Sequence, residues 1–151
     1  MSETHPTSDF RLPTFRDTPD DLTPDQLRGF FVGWPDPPSP EAHLRILRGS
    51  DAVELAIDEA SGAVVGFVTA ISDGVSCAYI PHLEVLPAYQ GRGIGTALLE
   101  RLLARLRHLY MIDLTCDPDV RPFYARLGLR PSTGMLARNY DRQSCAPPGE
   151  E

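Results

Sequence analysis

The sequence predicts one domain of α+β or mixed-sheet α/β class. Three observations carry that prediction. Strand-type runs at 52–57 and 63–72 flank a Glu59-Ala60-Ser61-Gly62 turn, and apolar residues recur at helical spacing between Ile94 and Leu109. Helical signals come early, a three-strand run follows, and helix, strand, helix and strand then alternate. At 151 residues the chain has the length of a single domain able to bury a core without disulfides or metals.

Taken in order, residues 1–20 form an extended or partly disordered N-terminal segment. Pro6, Pro13 and Pro19 interrupt it, leaving one short extended piece around Phe10 to Phe15. A first helix starts at Thr23-Pro24-Asp25-Gln26, with Thr at the N-cap, Pro at N1 and Gln at N3. Leu27, Phe30 and Phe31 supply its apolar face. Trp34-Pro35-Asp36-Pro37-Pro38 breaks the chain, and Ser39-Pro40-Glu41-Ala42 starts a second helix that ends at Arg48-Gly49-Ser50.

The two runs at 52–57 and 63–72 read as an antiparallel hairpin. The next apolar run, 77–86, holds Pro81 in its middle, so a bulge or a local break in pairing is expected there. The segment 93–108 is the clearest helix, with Leu98, Leu102 and Leu106 on its stripe and Glu100, Arg101, Arg105 and Arg107 on a solvated outer face. Residues 111–115 read as a buried strand, 120–127 as a short helix closed by Gly128, and 129–131 and 134–140 as terminal strands. The domain therefore spans 21–140, and 141–151 is a disordered tail.

Composition narrows the function. Lys plus Arg number 14 against 21 Asp plus Glu, a net charge of −7, which disfavours binding to a phosphate backbone and argues against nucleic acid as a partner. No apolar run approaches the ~18 residues of a membrane span. Met1-Ser2-Glu3-Thr4-His5-Pro6 lacks the layout of a signal peptide, so a cytoplasmic protein without membrane partners is expected. Cys77, Cys116 and Cys145 show no CxxC spacing, which signals neither a disulfide framework nor a metal site.

The chemistry concentrates at Leu83-Glu84-Val85-Leu86-Pro87-Ala88-Tyr89-Gln90-Gly91-Arg92-Gly93-Ile94-Gly95-Thr96. Three alternate glycines between a strand and a long helix remove Cβ atoms where backbone N–H groups point outward at a helix N-terminus, which is a cradle for a pyrophosphate. A P-loop would need Lys and then Ser or Thr after the last glycine, but Thr96 and Ala97 follow Gly95. A dinucleotide fingerprint would need glycine at Thr96 and immediate entry from a strand, and Pro87 to Gln90 intervene.

Gln90-Gly91-Arg92-Gly93-Ile94-Gly95 resembles the Gln/Arg-x-x-Gly-x-Gly/Ala signature of the GNAT acyltransferase superfamily. Leu83-Glu84-Val85 is similar to the bulged fourth strand before that loop, and Phe123-Tyr124-Ala125-Arg126-Leu127-Gly128-Leu129 to the Phe-Tyr-x-x-x-Gly-Phe segment after the fifth. The resemblance covers residues 53–140. It implies a mixed, mostly antiparallel sheet of six to seven strands with strands four and five splayed apart, flanked by about four helices.

It also implies a function: transfer of an acetyl group from acetyl-CoA to a primary amine of a small molecule or peptide, by direct attack and without a metal. Cofactor contacts would fall on Leu83 and Val85 in the strand and on Gln90, Gly91, Arg92, Gly93, Ile94, Gly95 and Thr96 in the loop. Val85 N–H would polarise the thioester carbonyl, and Tyr124 would be the acid for the leaving thiolate.

Two departures stand out. Pro81 occupies the place where the family often carries a base, which leaves His82 and Glu84, on the same side of the strand unless a bulge intervenes, as the candidate bases. Tyr79 is also within reach. Asp117 stands where many relatives use Asn for the cofactor arm, and it lacks the amide donor. These departures motivate an alternative reading, an acyl-CoA-binding sensor or structural protein of the same fold. A homodimer through the last strands is compatible with either reading.

Overall fold

The computed structural model describes residues 11–149. Residues 1–10, including the Phe10 end of the expected extended piece, and the last two of the tail lie outside the described residues. Six strands form one mixed sheet: β1 (Thr14–Arg16), β2 (Ala52–Ile57), β3 (Val64–Ser72), β4 (Cys77–Tyr79), β5 (Leu83–Val85) and β6 (Met111–Asp113). Three α-helices accompany them, α1 (Pro40–Gly49), α2 (Ile94–Arg105) and α3 (Arg121–Ala125), together with short 3-10 turns.

The antiparallel β2–β3 hairpin is the centre of the sheet, and β1 extends it on the β2 side. Both hairpin strands are almost wholly buried, because each face is covered by a helical layer. On one face α2 lays Ile94, Leu98 and Leu102 against Val65 and Val68. On the other, α1 and the segment before it pack Leu27, Phe31 and Leu47 against Leu55 and Phe67. Gly66 marks the closest approach of α2, since a Cβ there would lie 2.9 Å from Leu98 Cδ1.

The second helix forms as the sequence predicts, with Ser39 Oγ accepting the Ala42 N–H at 3.1 Å. The first does not. Its Thr23–Gln26 capping box is present, but the helical turn stops after Pro24–Leu27. Gly29 and Phe31 then take left-handed backbone conformations, φ 94° and 62°, which no continuing helix allows. Among the described residues this leaves three α-helices, where about four are expected.

Two further expectations change. Arg101 and Arg105 are not simply solvated, because both reach Glu54, a carboxylate only 3% exposed, at 3.3 Å. The expected terminal strands at 129–131 and 134–140 are absent: Leu129 N–H turns back to the Tyr124 carbonyl at 3.2 Å, and residues 130–139 are exposed coil up to the 3-10 turn Tyr140–Arg142. The chain beyond rests on the α1 side, where Gln143 Oε1 accepts the Asp36 N–H at 3.0 Å and Arg45 Nη2 donates to the Cys145 carbonyl at 2.9 Å.

Candidate active site

The 77–86 run divides at Pro81 into β4 and β5, and the division opens the sheet. β4 pairs antiparallel with the end of β3 and parallel with β6, whereas β5 pairs with β3 alone. Ile80 N–H still reaches across to the Asp113 carbonyl at 2.9 Å. Pro81 has no N–H to offer, and from His82 onward the bonds run to β3: Thr69 N–H to His82 O at 3.1 Å and Leu86 N–H to Val65 O at 2.9 Å. This is the splaying that the resemblance implied, between β5 and β6.

The register decides what faces the gap. Residues 82, 84 and 86 exchange bonds with β3, so Leu83 and Val85 direct their N–H and C=O groups toward the open edge. The Val85 carbonyl is taken by Gln90, whose Nε2 donates to it at 3.0 Å and ties the glycine loop to the strand.

Beyond Gln90, Gly91 and Gly93 hold φ of 75° and 82°, conformations that a side chain would strain. Gly93 is the N-cap of α2, and the N–H groups of Gly93, Ile94, Gly95 and Thr96 precede the first residue with a helical acceptor, Ala97, whose N–H bonds Gly93 O at 3.0 Å. These donors, with the positive end of the helix dipole, border a depression of about 270 Å³ lined also by Val85, Tyr89 and Phe123. Arg92 is exposed on the loop and Ile94 anchors it in the core. A larger depression of about 360 Å³ lies elsewhere, between Asp17–Asp20, the end of α1 and Arg105, and contains none of these groups.

Tyr124 stands half-buried on α3, its ring against Phe123 at 5.0 Å. Burial, reinforced by the neighbouring Cys116 thiol, raises the phenol pKa and keeps it protonated at neutral pH. Asp117 is exposed where the chain leaves β6, and its carbonyl accepts the Val120 N–H at 3.1 Å.

His82 and Glu84 share the α1 face of the sheet, opposite Thr69 and Phe67, so the break at Pro81 does not separate them. Their environments differ. Glu84 Oε1 accepts the Phe31 N–H at 2.8 Å and Oε2 the Val32 N–H at 3.4 Å, which pins the left-handed turn before α1. Burial raises the Glu84 pKa, and the two N–H bonds oppose the rise. The His82 ring is ringed by Phe31, Trp34 and Phe67 at 5.8 to 6.2 Å, and burial lowers its pKa, so it is neutral at pH 7. Tyr79 lies farther along the same face, opposite Ile71, with its hydroxyl paired to Thr115 Oγ1 at 3.2 Å.

A family model for acetyltransferases of the GNAT type matches residues 19–129. The chain belongs to the GNAT acetyltransferase family. The crystal structure of a proposed acetyltransferase from Deinococcus radiodurans R1 superposes with a TM-score of 0.86 at 48% identity, covering 89% of this chain and 93% of that one. A GNAT-family acetyltransferase from Streptococcus pneumoniae TIGR4 gives a TM-score of 0.68 at 28% identity, over 83% and 97% of the two chains. Among curated relatives, GCN5-related N-acetyltransferase 1, chloroplastic, of Arabidopsis thaliana is 34% identical over 116 residues, 75% of this chain. The aligned stretch spans 59% of that relative and 58% of an N-acetyltransferase from Porphyra purpurea.

Within this GNAT frame, the structure brings Leu83, Val85 and the loop 90–96 together around one gap, and sets His82 and Glu84 on the α1 side of the same strand. Two side chains of that face were not singled out from sequence: His43 on α1 and Thr69 on β3, both buried. Their signal is there to be read, a polar residue between Ala42 and Leu44 on the apolar side of a helix, and another inside a Val-rich strand. Among the described residues no cluster of His, Cys, Asp or Glu is placed to hold a metal ion, and no helix is long and apolar enough to cross a membrane.

Proposed function

We propose that this chain transfers an acetyl group from acetyl-CoA to a primary amine by direct attack within a ternary complex. The observation that carries the reading is the open edge of β5 running straight into the glycine cradle, two binding surfaces joined by the Gln90–Val85 bond. The diphosphate lies on the N–H groups from Gly91 to Thr96, the pantetheine arm pairs with the free backbone groups of Leu83, and Gln90 contributes by holding loop to strand through the Val85 carbonyl. Val85 N–H polarises the thioester carbonyl.

The amine nitrogen attacks that carbonyl carbon, the C–S bond breaks, and the thiolate takes the proton of the Tyr124 hydroxyl. His82, neutral and without a hydrogen-bond partner for its ring among the described residues, accepts the proton that the amine loses. Glu84 has both oxygens engaged by Phe31 and Val32, so it shapes the acceptor side rather than carrying the proton.

Calorimetric titration with acetyl-CoA and free-thiol release across a panel of small amines and peptides test this. Binding that is abolished by Gly93→Glu, and thiol release with at least one amine, are the expected results. No binding at saturating acetyl-CoA overturns the proposal. Binding with no thiol release from any acceptor replaces it with a CoA-binding protein of the same fold, the reading that Pro81 and Asp117 favour.

A further inference from the structure

Three buried side-chain atoms have no hydrogen-bond partner among the described residues: His43 Nδ1, His43 Nε2 and Thr69 Oγ1. His43 is 1% exposed and Thr69 not at all, and leaving such groups unpaired costs about 1 to 3 kcal/mol each. They lie in one neighbourhood. Thr69 is the ladder partner of His82, so the two side chains leave the same face of the sheet side by side. Phe67, two residues along that face, touches the His43 ring at 4.3 Å and the His82 ring at 6.2 Å. Phe31 likewise contacts both, at 4.9 and 5.8 Å.

The surrounding rings do not satisfy these atoms. A neutral imidazole has one N–H donor and one acceptor nitrogen. The Phe30 and Phe31 rings stand T-shaped to His43, and a phenyl ring can receive an N–H only on its face, so at most one imidazole nitrogen is served and neither the other nor the Thr69 hydroxyl is. One water between these side chains would serve them all, accepting the Thr69 O–H and one N–H of His82 and donating to the His43 acceptor nitrogen. Three bonds is the usual complement of a buried water.

We propose that His43 and Thr69 hold an ordered water against His82, which fixes the His82 tautomer and leaves its unprotonated nitrogen for the acceptor amine. His43 and Thr69 are then positioning residues that act through His82. The positioning role rests on the acyl-transfer reading, whereas the water site does not. Three titratable side chains share the sheet face around His82: His43 from α1, Glu84 from β5 and Tyr79 from β4, the last bonded to Thr115.

A high-resolution crystal structure of the full chain should show water density at hydrogen-bond distance, about 2.7 to 3.2 Å, from His43, Thr69 and His82. Thr69→Val, nearly isosteric, should lower kcat/KM about tenfold and move the acid limb of its pH profile while acetyl-CoA affinity stays the same. His43→Leu should do likewise, and His43→Gln should restore part of the rate. Absence of the density overturns the water site. Density with an unchanged rate and acid limb in Thr69→Val overturns the positioning role. A wild-type protein that releases no thiol with any amine overturns the acyl-transfer reading and the positioning role together, and the density still decides the water.

Discussion

Acid should destabilise this protein through His43, by an amount that the structure sets. The imidazole is buried against Phe30, Phe31 and Phe67, and burial, with a smaller effect from nearby His82, lowers its pKa from 6.5 to about 4. Between those values the unfolded chain binds a proton that the folded chain refuses. Stability is therefore full above about pH 6.5 and falls as the pH drops toward 4. At about 1.4 kcal/mol per pH unit the loss is roughly 3 kcal/mol, a large part of the ~5 to 15 kcal/mol that holds a typical domain. Urea unfolding at steps from pH 7 to pH 4 measures it, with His43→Leu as the control that has no proton to bind. The stability gap between wild type and variant should shift by about 3 kcal/mol in favour of the variant across that range. If the two curves run parallel, His43 is not a neutral buried group and the reasoning fails.

Two other outcomes follow from the site. Tyr124→Phe should bind acetyl-CoA normally and lose about a hundredfold in kcat, measured by thiol release; full kcat would remove the phenol from the reaction. Glu84→Ala frees the Phe31 and Val32 N–H groups, so it should raise the amine KM while leaving acetyl-CoA affinity unchanged, as steady-state kinetics and calorimetry would show.

Much of the fold was legible because the signals are local. Ser39-Pro40 starts a helix wherever it stands before an apolar stripe, the Glu59 to Gly62 turn closes a hairpin, and Pro81 interrupts pairing because it has no N–H. What the sequence hid depends on distant partners. The helix expected from Thr23 ends after one turn, and the Phe31 N–H, which a helix would have used, goes to Glu84, 53 residues later. The run at 134–140 reads as a strand in sequence, yet Met135 and Leu136 are exposed, because no neighbouring strand among the described residues receives them. The same limit applies at the site. The glycine loop announces itself by spacing, whereas the division of work between His82 and Glu84 emerges only when the loop at Phe31 comes to rest on the carboxylate.

The bond from Gln90 to the Val85 carbonyl makes the cradle and the strand a fixed gauge. Under the acyl-transfer reading, one end of the donor is clamped at its diphosphate and the other must present its carbonyl to Val85, so the span between them is set by the protein. Donors are then sorted by the length of their arm: a thioester on a truncated or lengthened arm would be held as firmly by its phosphates and still deliver its carbon to the wrong place.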